Sequence, residues 1–214
     1  RIILVVMMIL TLPYISYAQE ATAINSGDTA WMLISTALVT LMTPGLALFY
    51  GGMVRRKNVL GTIMHSFIML CMVSVIWVLW GYTFSFGPDR FGIIGGFDWF
   101  GLNGVGQEPS PFAPTIPHLI FMMFQGTFAV ITPALITGAF AERIKFSALI
   151  LFSALWVTFV YSPLCHWVWG GGWMGKTLGT LDFAGGIVVH ISSAIAALAA
   201  IIVIGKRRGY GIEP

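Results

Sequence analysis

A histidine within an otherwise apolar helix is the residue of this chain whose position most strongly suggests chemistry. His190 lies between Asp182 and Lys206, and the residues around it are apolar or small. An ionisable side chain inside a membrane-spanning segment is costly and is by default a functional hypothesis. A neutral imidazole can donate a hydrogen bond from one nitrogen and accept one at the other, so His190 can bind a small polar molecule or relay a proton. The alternative is a histidine that serves packing alone.

Aromatic residues form the second group of candidates. Phe124 and Phe128 are four residues apart, so they lie one above the other on a helix face that can line a pore. Trp169 is followed by three glycines, which let the backbone bend sharply and place the indole over a pore mouth. The face of such a ring attracts a cation. The alternatives are helix packing for the phenylalanines and, as for Trp167 and Trp173, the aromatic belt of a membrane–water interface.

Asp182 is placed where a carboxylate can cap the helix that carries His190. A side-chain oxygen at this position accepts hydrogen bonds from the backbone N–H groups of the first helical turn. The glycine pair at 185–186 allows a close approach of the backbone there. The sequence therefore predicts that Asp182 fixes the start of this helix.

The other histidines and cysteines do not form a recognisable catalytic or metal site. No two histidines are three or four residues apart and no cysteine cluster exists, so neither a metal nor a cofactor is predicted. His65, His118 and His166 are interpreted as structural or interfacial residues. Cys71 and Cys165 lie in different apolar segments and are interpreted as small buried residues. There is no phosphate-binding loop and no Ser–His–Asp pattern, so we do not expect an enzyme.

The composition places these residues in a membrane protein. Of the 214 residues, 57% are hydrophobic and 9% are charged, whereas a soluble domain carries about 25% charged residues. Several apolar runs reach about 20 residues, enough to cross a bilayer as a helix. We predict an all-α polytopic membrane protein with five spans, at about 30–52, 59–86, 116–140, 146–164 and 183–205. The long loop 87–117 must lie outside the bilayer or cover the mouth of a cavity.

The first residues resemble a secretory signal peptide. Residues 1–18 have a basic start, an apolar core and small residues before Gln19. A genuine first membrane helix is the alternative, but Pro13 and the polar stretch that follows favour removal. We therefore expect a signal peptide at 1–18, a periplasmic segment at 19–29 and a membrane domain at 30–214. The chain does not begin with Met, so we expect that it lacks its true start.

The distribution of charge predicts the orientation. Eight basic residues follow the first, third and fifth spans, at 55–57, at 143 and 145, and at 206–208, whereas Arg90 and Lys176 lie on the other side. The positive-inside rule places the eight in the cytoplasm and the mature N-terminus outside. The distribution of charge is therefore explained by membrane topology and does not indicate nucleic-acid binding. An odd number of spans is expected for the first of two inverted repeats, so the chain is interpreted as about half of its parent.

At these residues the chain resembles the ammonium transporter family (Amt/Mep/Rh). The motifs that carry the resemblance are Thr43–Gly52, Phe124–Phe128, Gly138–Arg143, Trp169–Gly172 and Asp182–Arg207. The resemblance covers about residues 28–212, and the order and spacing of the five motifs argue against a chance match. It implies an eleven-helix fold, of which this chain is the first inverted repeat. It also implies a homotrimer in the bacterial inner membrane, with a separate pore in each subunit.

The resemblance also implies roles for individual residues. Trp169 would help to form an outer site that recruits ammonium, with Asp182 as a buried acid beside it. Phe128 would be one of two stacked phenyl gates, and His190 the first of two pore histidines, past which ammonia is conducted after deprotonation. Phe49 would line the pore more peripherally. The second gate phenylalanine, a serine of the outer site and the second histidine would come from the other repeat.

Other functions remain open from the sequence alone. A channel for small neutral solutes would use the same helix packing without the aromatic site. An ammonium sensor or an Rh-type protein are alternatives within the family. Ammonium or ammonia and the lipid bilayer are the predicted partners, and a PII-type regulatory protein is implied by the resemblance alone.

Overall fold

The computed structural model describes residues 24–207, 210 and 211. Within them lie five helices that are long and apolar enough to cross a membrane, which agrees with the predicted all-α membrane fold. These spans are Ser26–Gly52, Arg56–Phe86, His118–Phe140, Phe146–Lys176 and Gly186–Ile204. The signal peptide predicted for residues 1–18 lies outside the described residues.

The spans consist of α-helices joined by π-helical segments or short turns. The α-helices are α1 (Ser26–Gly52), α2 (Val59–Ile76), α3 (Tyr82–Phe86), α4 (His118–Phe140), α5 (Phe146–Trp156), α6 (Ser162–Val168), α7 (Trp173–Lys176) and α8 (Ser192–Ile204). The side chain of Asn25 accepts from the backbone N–H of Asp28 at 3.0 Å, which explains why the first span begins before residue 30. The fourth span continues past residue 164 through α6 and α7 to Lys176.

Three π-helical segments interrupt the spans of the described chain. They are Trp77–Gly81, Val157–Tyr161 and Gly186–Ile191. A π turn adds one residue to a helical turn and so rotates all later side chains relative to the earlier ones. The third segment contains His190, so the direction of that side chain is set by the π turn.

The third span, α4, forms the centre of the bundle. It packs against the first, second and fifth spans, and Ala129, Ala134 and Ile136 on it are fully buried. Gly126 lets Trp77 approach, because a Cβ there would lie 2.8 Å from the indole ring. The first and fifth spans, in contrast, leave most of their side chains exposed. One wall of the bundle is therefore rigidly packed, and the other is open.

Residues 87–117 form a cap at the end of the bundle that carries Trp169, referred to below as the Trp169 end. Two antiparallel pairs of short strands, β1 (Asp89–Arg90) with β2 (Ile94–Gly95) and β3 (Pro109–Ser110) with β4 (Ala113–Pro117), give it regular structure. The cap is fastened by buried aromatic groups. Tyr82 and His118 share a hydrogen bond of 2.5 Å, and Trp99 stacks on Tyr82.

Glu142 joins two turns at the opposite end of the bundle. Its Oε1 accepts from the backbone N–H of Arg55 at 3.2 Å, from Arg55 Nε at 3.1 Å and from Asn58 Nδ2 at 2.6 Å. These bonds hold the pKa of Glu142 at about 2. They also hold the backbone of Glu142 at φ 65°, a conformation that costs a residue with a side chain about 1–2 kcal/mol.

Replacing Glu142 with Ala should lower the free energy of unfolding by about 2 kcal/mol, the usual value for hydrogen bonds to a charged group. Because the native pKa is depressed from 4.5 to about 2, this contribution is complete above pH 4.5 and disappears as the pH falls towards 2. Thermal unfolding in detergent as a function of pH measures both effects. Lys57→Ala, an exposed residue of the same turn, is the control, and an equal loss of stability in it would contradict the assignment.

Candidate functional site

The Trp169 end contains an open cavity of about 400 Å³. Phe124, Phe128, Trp169 and Asp182 line it, and Gln125 adds an amide group. We refer to it as the Trp169 cavity. The third span therefore contributes its predicted aromatic face. Trp169, before the glycine turn, contributes the indole, and Asp182, after it, contributes the acid.

The indole of Trp169 is held in one orientation by main-chain groups. Its Nε1 donates to the carbonyl oxygen of Asp182 at 2.8 Å, and its backbone N–H donates to Cys165 at 2.8 Å. Gly171, at φ 89°, lets the chain turn directly after it. The ring of Phe128 lies edge-on to the indole, with centroids 6.4 Å apart. The N–H of the indole is thus occupied by the Asp182 carbonyl, and the side chain lines the cavity.

Asp182 caps the fifth span, as the sequence predicts. Its Oδ1 accepts from the backbone N–H of Gly186 at 2.7 Å. Its Oδ2 accepts from Ile187 at 2.8 Å and from Val188 at 3.0 Å. Although it is only half-buried, the carboxylate is fully engaged with the start of the helix, where a negative charge is favoured by the helix dipole. It can act on a cation in the cavity through its electric field rather than as a free ligand.

A second open cavity, of about 340 Å³, lies on the other side of Phe128. Phe49, Phe128 and His190 line it, and the rest of its wall is apolar, including Leu46 and Ile131. We refer to it as the His190 cavity. Phe128 and Ala184 line both cavities, so the Trp169 cavity and the His190 cavity are neighbours that Phe128 separates.

The six residues proposed from the sequence therefore divide between two adjoining cavities. Phe124, Trp169 and Asp182 line the first, Phe49 and His190 line the second, and Phe128 lines both. Phe124 packs edge-on against Phe128, with centroids 5.0 Å apart. His190 is exposed in this chain.

Two polar residues near the site were missed or misread in the sequence. Gln125 lines the Trp169 cavity, and its Oε1 is buried without a hydrogen-bond partner; a glutamine within an apolar span was the available signal. His166, interpreted as structural or interfacial, is fully buried and bonded to Asp89. Among residues 24–207, 210 and 211, no three His, Cys, Asp or Glu side chains come together as a metal site would require.

A family model described as Ammonium Transporter Family matches residues 30–213. The chain belongs to the ammonium transporter family. An ammonium transporter of Bacillus subtilis is 62% identical over 182 residues, which are 85% of this chain and 45% of that protein. Ammonium transporter Amt1 of Archaeoglobus fulgidus is 54% identical over 193 residues, 89% of this chain and 47% of that protein.

Solved structures of the family share the fold. The crystal structure of Candida albicans Mep2 has a TM-score of 0.79 and 37% identity, and the match covers 86% of this chain and 40% of that one. A structure described as Sensor Amt Protein has a TM-score of 0.75 and 31% identity, over 83% of this chain and 44% of that one. The chain spans about half the length of the curated relatives it matches.

The backbone at Gly185 generates a prediction for the start of the fifth span. Gly185 has φ 76°, and a Cβ there would lie 2.8 Å from Val189, whereas a Cβ at Gly186 would meet Asp182 at an ordinary 3.8 Å. Gly185→Ala should therefore lower the free energy of unfolding by at least about 1–2 kcal/mol, and Gly186→Ala should change it by less than half of that. Thermal unfolding of both variants is the measurement, and equal stability of the two would contradict this account of the helix start.

Proposed function

We propose that this chain forms half of the pore of an ammonium transporter, in which the Trp169 cavity recruits ammonium and the His190 cavity conducts ammonia after the proton is removed. The observation that supports this most directly is the order of the two cavities. A cavity with aromatic faces and an acid adjoins an apolar cavity with one imidazole, and a phenyl ring separates them. A cation can be held in the first, and a neutral molecule can cross the second.

The free energy of an ion in the membrane explains why the proton must leave. Moving an ammonium-sized ion into a dry interior has an idealised cost of order 20 kcal/mol. One cation–π contact offers about 2 kcal/mol when desolvated. The aromatic groups can therefore concentrate ammonium at the mouth, but they cannot carry the ion through an apolar cavity. Neutral ammonia crosses such a cavity at far lower cost.

The groups of the Trp169 cavity complement an ammonium ion. The indole face of Trp169 supplies the cation–π surface, and the capped carboxylate of Asp182 supplies negative potential nearby. Gln125 adds an amide-bearing side chain to the wall of the cavity. Phe128 closes the inner side of the cavity, so passage requires its ring to move.

His190 is the polar group to which we assign conduction. Its imidazole faces a cavity whose other walls include Phe49 and Ile131. A neutral imidazole donates to the nitrogen of ammonia or accepts one of its hydrogens. An imidazole can also take up a proton at one nitrogen and release one from the other, which would couple transport to proton movement. A second histidine from the rest of the pore would complete the relay.

The orientation and assembly are also part of the proposal. The basic residues at 55–57, 143 and 145 lie at the end opposite Trp169, and the positive-inside rule supports an outer position for the Trp169 cavity and the mature N-terminus. The family resemblance supports a homotrimer in the bacterial inner membrane and a PII-type regulatory partner on the cytoplasmic side.

Ammonium sensing is the second candidate function, because the fold also matches the structure described as Sensor Amt Protein. A sensor would need the Trp169 cavity to bind ammonium but would not need flux past His190. Ammonium binding without measurable uptake would therefore favour the sensor, and uptake into vesicles would favour the transporter.

Trp169→Leu tests recruitment. In a chain extended to the length of its relatives, it should raise the apparent KM for ammonium by about thirtyfold, the equivalent of a desolvated cation–π contact of ~2 kcal/mol. The measurement is ammonium uptake into proteoliposomes. Trp31→Leu is the control, because its indole is exposed on the first span and lines neither cavity, so it should leave KM unchanged. Uptake through a pore for neutral solutes would not change with either substitution.

His190→Ala tests conduction. Selective ammonium uptake should fall by at least about tenfold, since a positioned proton-transfer group contributes at least that much, and the proton movement coupled to uptake should change. His65→Ala is the control, as a histidine in the second span that lines neither cavity. Unchanged uptake with unchanged proton coupling in His190→Ala would contradict the proposed path.

A further inference from the structure

His166 is a fully buried histidine that the proposed transport path does not use. Its Nδ1 lies 3.0 Å from the carbonyl oxygen of Ser85, at the end of the second span. Its Nε2 lies 2.9 Å from Oδ1 of Asp89, in strand β1 of the cap. One imidazole thus bridges the end of a span and the first hairpin of the cap.

Both ring nitrogens of His166 face acceptors. A carbonyl oxygen can only accept, so Nδ1 carries a hydrogen and donates to Ser85. The pKa of Asp89 is lowered, chiefly by its hydrogen bond with His166 and also by the N–H of Gly92 and the charge of Lys176. Nε2 and Asp89 Oδ1 share the second hydrogen bond, at 2.9 Å, so both ring nitrogens are engaged. Hydrogen bonds that involve a carboxylate are about twice as strong as neutral ones.

The turn that carries Trp169 is built around the same histidine. The backbone N–H groups of Gly170 and Gly172 donate to the carbonyl oxygen of His166 at 3.1 and 2.9 Å. Gly170 is pressed against the bridge, because a Cβ there would lie 1.9 Å from the Ser85 carbonyl oxygen and 2.8 Å from His166 Nδ1. The position of the turn therefore depends on where the imidazole holds Ser85.

The cap hairpin contacts the same turn from its other side. The backbone N–H of Trp173 donates to the carbonyl oxygen of Gly92 at 3.1 Å. A Cβ on Gly172 would lie 2.9 Å from that same oxygen. Asp89 also fixes the hairpin, since its Oδ1 accepts from the Gly92 N–H at 2.8 Å. Asp89 thus links the imidazole and the hairpin that together enclose the turn.

We propose that His166 and Asp89 are positioning residues of the ammonium site: the bridge from Ser85 through His166 to Asp89 holds the glycine turn, and thereby the Trp169 indole, over the Trp169 cavity. Neither residue lines that cavity, so the pair acts through Trp169 rather than on ammonium itself. This inference rests on the proposed function of Trp169 in recruitment. It distinguishes His166 from a histidine that serves packing alone.

Asp89 offers the sharper test, because its side chain is 35% exposed whereas that of His166 is fully buried. In the chain extended to the length of its relatives, Asp89→Ala should raise the apparent KM for ammonium about tenfold, as expected for loss of a charge-assisted hydrogen bond. The maximal uptake rate should stay within about twofold, because the path past Phe128 and His190 is untouched. Asp89→Asn retains an oxygen acceptor and an N–H donor for Nε2 and should restore KM to within about threefold of the unsubstituted protein.

Two controls accompany these variants. Arg90→Ala changes the neighbouring residue of the same hairpin, whose contact with Asp98 is a long 3.9 Å pair between exposed side chains, and should leave KM unchanged. Thermal unfolding of each variant establishes that the protein has folded. An unchanged KM in Asp89→Ala, or an equal increase in Asp89→Asn and Asp89→Ala, would overturn the proposal.

The Trp169→Leu background separates this inference from the proposed function. If Asp89 acts through Trp169, Asp89→Ala should raise KM by less than about twofold further in Trp169→Leu, because the two changes remove one interaction. The same tenfold increase in both backgrounds would overturn the positioning role while leaving recruitment intact. If Trp169→Leu alone leaves KM unchanged, recruitment itself fails, whatever the result at Asp89.

Discussion

Asp182 makes two sets of contacts on which the rest of the site depends. Its side chain accepts three backbone N–H groups at the start of the fifth span, and its main-chain carbonyl accepts the indole N–H of Trp169. The helix that carries His190 and the ring at the mouth are therefore fixed to the same residue. A shift of Asp182 would therefore move both the indole of the Trp169 cavity and the start of the helix that lines the His190 cavity.

The third span is the second element on which the site depends. It is the most buried of the five spans, and it places Phe128 edge-on to the indole, with Phe124 packed against Phe128. Phe128 belongs to both cavities, so it lies at the point where an ion would have to give up its proton. The open faces of the first and fifth spans are consistent with a chain that spans about half the length of its relatives.

The sequence predicts those features that depend on length, period and local capping. Apolar length predicts the five spans, the four-residue spacing predicts the phenylalanine pair, and the position of Asp182 predicts its capping role. Features that depend on distant contacts could not be predicted. The burial of His166 requires Asp89 and Ser85, which are far away in the chain, and an interfacial histidine would look the same. The π turn at His190 and the positive φ of Glu142 arise from tertiary packing that single residues do not encode.

The most direct test of the central claim, that the cation stops at the Trp169 cavity and a neutral molecule continues, is to locate a cation that cannot lose a proton. Rubidium is similar in size to ammonium and can be identified by its anomalous X-ray scattering. In crystals of the extended chain soaked in rubidium, the account predicts anomalous density in the cavity bounded by Trp169, Phe128 and Asp182, and none beside His190. Rubidium density in the His190 cavity would contradict it, because the apolar path would then accept an ion that carries its charge throughout.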